Sequence, residues 1–120
     1  MKSQENAVVK KSFTFAVRVV KCYKYLIKKD KYLLSLYNQL LDSSTSIGAN
    51  ISESQAAASK ADFRNKLSIS LKEAYETEFW LKLFYKAEIL DNKEFDSLLS
   101  DCLELIKLLT SIIKNVKLKT

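Results

Sequence analysis

The chain has no proline and a single glycine, Gly48, in 120 residues. Proline and glycine supply the turn chemistry that short hairpins require, so a sheet protein of this length would show many of both. Their absence points to long helices, and the apolar pattern agrees. Val9, Phe13, Ala16, Val20, Tyr23 and Ile27 recur at alternating spacings of four and three. Leu33, Tyr37, Leu40, Ser44, Ile47 and Ile51 repeat that rhythm, as do Phe63, Leu67, Ser70, Ala74, Thr77, Leu81 and Phe84. A fourth set runs through Phe95, Leu99, Cys102, Ile106, Leu109, Ile113 and Val116. An average spacing of 3.5 places each set on one seam, the pattern of bundle packing with left-handed supercoil. The sequence therefore predicts an all-α, antiparallel up-down-up-down four-helix bundle in one domain, 1–120. Its helices are expected near 5–29, 32–57, 60–89 and 92–117.

Breaks between these segments are short, which favours antiparallel neighbours. Lys28-Lys29-Asp30-Lys31 separates the first two helices. Ser59 with Asp62, and Asp91 with Glu94, have the spacing of a helix N-cap and its third residue. The boundary before Ser59 is the weakest, because Gln55-Ala56-Ala57-Ala58 contains good helix formers and no breaker.

Two helices are apolar beyond one stripe. The first adds Val8, Phe15, Val19, Cys22 and Leu26, and the third adds Ile69, Trp80, Leu83 and Ala87. Such a surplus either widens the core contact or forms a subunit interface. A large exposed apolar patch is rare in monomers, so the expectation is a homo-oligomer with Ile69, Trp80, Leu83 and Ala87 at its interface.

Charge is unevenly placed. The chain is +6 overall, yet residues 1–31 hold nine Lys or Arg against two acids. On the first helix Lys11, Arg18, Lys21, Tyr25 and Lys28 share a stripe, with an aromatic among the cations. Such a stripe suits phosphate contact and base stacking, which makes these five the candidate nucleic-acid-binding residues. The plainer reading is a solvated lysine-rich face. In the second helix Ser43, Ser46, Asn50 and Glu53 form a polar stripe beside Gly48 and Ala49. Ser46, Asn50 and Glu53, with Arg64 or Lys60 as partner for the carboxylate, are expected to form a buried network that sets helix register, the alternative being a ligand-binding or catalytic stripe.

The residue inventory restricts catalysis. There is no histidine, which removes imidazole general bases, imidazole metal ligation and histidine-dependent triads. Two cysteines make no structural zinc site. Glu73, Glu76 and Glu78 crowd the third helix, but a bundle carboxylate metal site also wants Glu-x-x-His pairs. The expectation is therefore no enzyme, no metal and no cofactor. Cys22 and Cys102 are expected at similar heights on neighbouring helices, where buried thiols are favoured over a disulfide in a cytoplasmic setting. The first residues are not followed by a signal-peptide core, and no apolar run approaches a membrane span, so the cytoplasm is the expected location.

Three stretches carry a resemblance. They are Lys11 to Val20, Thr45-Ser46-Ile47-Gly48-Ala49-Asn50-Ile51-Ser52-Glu53, and Leu67 to Leu81. Together they resemble the four-helix-bundle proteins encoded within intervening sequences of bacterial 23S rRNA genes, and the related accessory variability proteins of diversity-generating retroelements. Ser52 and Ser54 stand where that family often has Ala or Gly. The resemblance implies an up-down bundle, often a ring-shaped homopentamer, with no established enzymatic activity. Its retroelement branch implies a positively charged ring that binds nucleic acid and a reverse transcriptase. The functional expectation is a self-assembling bundle that binds RNA or DNA weakly through the first helix. The alternative is an oligomeric adaptor for a protein partner, without nucleic-acid contact. No membrane contact is expected.

Overall fold

A computed structural model describes residues 2–118. Four helices follow one another: α1 (Lys2–Lys29), α2 (Leu34–Ser54), α3 (Lys60–Lys86) and α4 (Asn92–Asn115). A 3-10 turn at Lys31–Leu33 joins the first two, started by the Asp30 carboxylate accepting from Tyr32 N–H. Each helix packs on its neighbours in a closed square, α1 on α2 and α4, and α3 on α2 and α4. Cross-helix partners show the directions. Gln4 meets Ser111, Lys11 meets Glu104 and Arg18 meets Asp101, one number rising as the other falls. Lys66 with Glu53, Ser70 with Ile47 and Thr77 with Ser43 do the same for α2 and α3. Neighbouring helices are therefore antiparallel.

The caps explain where the helices begin. Ser59 Oγ accepts from Asp62 N–H at 3.0 Å, and the Asp62 carboxylate accepts from Ala58 N–H at 3.1 Å. Asp91 accepts from Glu94 N–H at 2.8 Å. Each cap satisfies a donor that the first helical turn leaves without a partner. The ends depart from expectation. α2 stops at Ser54, short of residue 57, because Gln55, Ala56 and Ala57 tighten onto carbonyls three residues back. α3 stops at Lys86, short of 89, because Glu88 takes a φ of +64°. The chain then hooks back, with Ile89 N–H donating to the Phe84 carbonyl at 2.8 Å.

The core follows the expected seams on α2 and α3, with Tyr37, Leu40, Ile47, Ile51, Leu67, Ala74, Leu81 and Phe84 buried. On α1 the expectation is corrected. The buried side chains are Val8, Ser12, Phe15, Val19, Cys22 and Leu26, while the expected seam lies at the edge of the core: Val9, Tyr23 and Ile27 pack against it half-buried, and Phe13 is 71% exposed. Both stripes are apolar and lie about one residue apart around the helix, so periodicity cannot separate them. On α4 the inward set is Leu98, Cys102, Leu105, Leu109 and Ile112, which shares only Cys102 and Leu109 with the expected seam.

Small polar groups line the α2–α3 contact. The Ser70 hydroxyl donates to the Ile47 carbonyl at 2.8 Å, and the Thr77 hydroxyl lies 2.9 Å from that of Ser43. Among the described residues no buried side-chain nitrogen or oxygen lacks a partner. Gly48 lies where α2 approaches α1, and an added Cβ there would meet the Ser12 carbonyl oxygen at 3.4 Å.

Candidate nucleic-acid interface

α1 carries eight Lys or Arg and a single acid, Glu5. Its rotation in the bundle divides the expected stripe. Lys11 and Arg18, seven residues apart on the flank nearest α4, pair with Glu104 at 3.2 Å and Asp101 at 2.6 Å. Lys21, Tyr25 and Lys28 remain exposed, and Lys10 and Lys24 join them on the outer edge. None of these four lysines makes an ion pair among the described residues. The two pairs to α4 are partly exposed, and such pairs contribute roughly 0–1 kcal/mol. Phosphate could therefore compete for Lys11 and Arg18 at small cost. Lys29 Nζ lies 5.9 Å from the centroid of the Tyr25 ring, which is 62% exposed.

The expected polar network does not assemble. Asn50 is half-buried and donates 2.8 Å to the Ser46 carbonyl on its own helix. Glu53 pairs with Lys66 at 3.0 Å, and Arg64 makes no hydrogen bond or ion pair among the described residues. Arg64 and Lys66 lie two residues, or about 200°, apart on α3, so only one of them can face α2. The buried polar bonds between α2 and α3 come instead from Ser43, Ser70 and Thr77.

Of the four interface candidates, Ile69 and Leu83 lie on the outward side of α3, Ala87 caps its end, and Trp80 packs against the core beside Phe84. Ile69, Leu83 and Ala87 are exposed, and Trp80 is half-buried edge-on to Phe79 at 4.9 Å. Tyr75 and Phe79, more than half exposed, complete this stripe and were not among the expected residues. Their signal in the sequence is the spacing of four that links Tyr75, Phe79 and Leu83 outside the core seam.

Cys22 and Cys102 are both free and buried. Burial, with Glu94 adding, pushes the Cys22 thiol up to about 11. Burial, then Glu78 and Asp101, pushes Cys102 up to about 12. Both are thus protonated and weakly nucleophilic near neutrality. Cys102 Sγ also lies 3.3 Å from the Ala74 carbonyl, which it can reach as a donor. Among the described residues no group of three acids or cysteines is placed to hold a metal ion.

A family model described as 23S rRNA-intervening sequence protein matches residues 4–111. The chain belongs to that family. No curated protein matches it. Among solved structures it is similar to a protein of unknown function from the S23 ribosomal protein family of Bacteroides thetaiotaomicron. The two are 48% identical with a TM-score of 0.89, over 93% of this chain and 99% of that one. In this family member the described residues include no helix long and apolar enough to cross a membrane. Its basic edge on α1 and aromatic stripe on α3 lie on helices at opposite corners of the square.

Proposed function

We propose that this chain is a self-associating bundle that binds nucleic acid, with RNA preferred, along the outer edge of α1. One observation carries the reading: after α4 has taken Lys11 and Arg18, a row of exposed, unpaired lysines remains on a helix with one acid. Lys10, Lys21, Lys24 and Lys28 track phosphates, and Tyr25 offers a ring for stacking. With a single arginine, Arg18, among the lysines, backbone contact is favoured over base reading, so binding is sequence-tolerant. The RNA preference draws on the family description. The site residues thus comprise Lys11, Arg18, Lys21, Tyr25 and Lys28, the first two in exchange with their α4 partners.

Few cations per copy bind weakly, and assembly repeats them, which raises effective concentration. The exposed faces of α1 and α3 support self-association, with Ile69, Trp80, Leu83 and Ala87 joined by Tyr75 and Phe79. The reading assigns binding and no catalysis, supported by the lack of histidine and by two thiols that burial pushes up to about 11 and about 12. Two free thiols fit a cytoplasmic setting. The exposed aromatic stripe of α3 favours a second reading, an adaptor for a protein partner, since aromatic side chains are enriched at such interfaces.

Fluorescence anisotropy with single-stranded RNA and duplex DNA at low and physiological salt tests the choice. Affinity is expected to fall with a log–log salt slope of about −0.7 per phosphate contact for single strands. Replacing Lys24 and Lys28 together by Glu is expected to abolish binding, with helicity unchanged by circular dichroism. If the wild type binds neither nucleic acid at low salt, the α1 edge is a solvated face and the adaptor reading replaces it.

A further inference from the structure

At one end of the bundle an open cleft of about 1100 Å³ separates the last turns of α1 from the α3–α4 connection. Pockets for small organic ligands span roughly 300–1,000 Å³, so the space is ample for one. The α1 wall presents Lys21, Tyr25 and Lys29, and the end of α3 presents Tyr85 and Lys86. None of these lysines forms an ion pair among the described residues. Tyr85 lies flat on Phe95, with centroids 4.3 Å apart and planes 8° from parallel. Its hydroxyl donates to Asn92 Oδ1, which fixes the ring in place. The third wall carries the carboxylates of Glu88 and Glu94, which also form no ion pair among the described residues.

These walls ask for different parts of one ligand. Ammonium groups suit a phosphate, and tyrosine rings suit a planar heterocycle. Ionised carboxylates can only accept hydrogen bonds, so they suit the exocyclic amino group of a base. A bare anion fits poorly, because the acids would repel it. A ligand with an anionic end and an amino-bearing ring satisfies both signs. We infer that the cleft holds one unstacked nucleotide, its base against Tyr25, its amino edge toward Glu88 and Glu94, and its phosphate among Lys21, Lys29 and Lys86. Within a strand this deepens the nucleic-acid reading, on which it then rests, since the cleft would draw one base out of a single strand that the α1 edge tracks. As a free nucleotide the same unit would bind without that reading.

The test has two arms on the full chain. The first is an NMR titration of ¹⁵N-labelled protein with cytidine and adenosine 5′-monophosphate. Shifts are expected at the amides of Tyr25, Lys29, Lys86 and Glu88. The second is anisotropy with a single-stranded RNA and the blunt duplex of the same length. Single strand is expected to be favoured by about tenfold, the worth of one stacked base. Lys29→Glu with Lys86→Glu, both at exposed positions, should erase the mononucleotide shifts and that preference while duplex binding persists. Silent cleft amides at millimolar nucleotide, with the double variant still preferring single strand, would overturn the inference alone. Cleft shifts with mononucleotide but no binding of either RNA would support a free-nucleotide site and remove the nucleic-acid reading instead.

Discussion

Glu88 shows how a single residue fixes a helix end. Its φ of +64° is the left-handed conformation, which costs an L-residue with a Cβ roughly 1–2 kcal/mol. Glycine occupies this position in many helices, and here none is available. The surroundings hold the conformation in place: Ile89 and Leu90 N–H both reach the Phe84 carbonyl, and Leu90 is buried. Glu88→Gly is therefore expected to stabilise the fold by about 0.5–1 kcal/mol, the steric relief less the extra entropy of glycine in the unfolded chain. A rise in the urea midpoint without a change in slope would record it. No change, or a loss, would mean that the Glu88 side chain contributes contacts that outweigh the strain. The sequence could not announce this end, because glutamate is a good helix former and the usual glycine signal is missing.

At the scale of helices, α2 and α3 are matched by small polar groups more than by size. Ser43, Ser44, Ser70 and Thr77 are fully buried or nearly so. The Thr77 hydroxyl has two partners within 2.9 Å, Ser43 Oγ and the Glu73 carbonyl. Thr77→Ala removes a methyl, a hydrogen bond across the helices and the partner of Ser43. The expected loss is on the order of 1–3 kcal/mol, read by chemical denaturation. A loss below about 0.5 kcal/mol would show that the Ser43 hydroxyl is satisfied by the Leu40 carbonyl alone, 3.3 Å away. The sequence placed Ser44, Ser70, Ala74 and Thr77 on the seams at helical spacing, but it assigned the polar network to Ser46, Asn50, Glu53 and Arg64, so the bonds of Ser43, Ser70 and Thr77 were not legible in it. Nor was the orientation of α1. Val9 to Ile27 and Val8 to Leu26 are both apolar at the same spacing, and only packing against α2 and α4 selects between them. That choice carried the candidate site with it. Once Val8, Phe15 and Cys22 face inward, Lys11 and Arg18 lie beside Asp101 and Glu104, and the five-residue stripe becomes a shorter outer edge.

For the molecule as a whole, the two outward apolar faces are not equivalent. α1 presents Phe13, Val17 and Val20, beside a groove of about 460 Å³ whose other wall includes Gly48 and Ser52 of α2. α3 presents Tyr75, Phe79 and Leu83. The two helices sit at opposite corners of the square, and their backbones do not pack side by side among the described residues. A two-fold contact through either face would leave the other bare, whereas α1 of one copy against α3 of the next covers both. That head-to-tail arrangement closes into a ring when its rotation divides a full turn. Two variants separate these modes. Phe13→Glu blocks the α1 face and Phe79→Glu blocks the α3 face, both at exposed positions. Each variant alone is expected to run as a 13.8 kDa monomer in light scattering. Mixed in equal amounts, they retain one intact junction, the unaltered α1 face of the Phe79 variant against the unaltered α3 face of the Phe13 variant. The mixture should therefore form a one-to-one pair of twice that mass and go no further. If one variant alone still dimerises and mixing adds nothing, the contact is two-fold through the face left intact, and the head-to-tail arrangement is wrong.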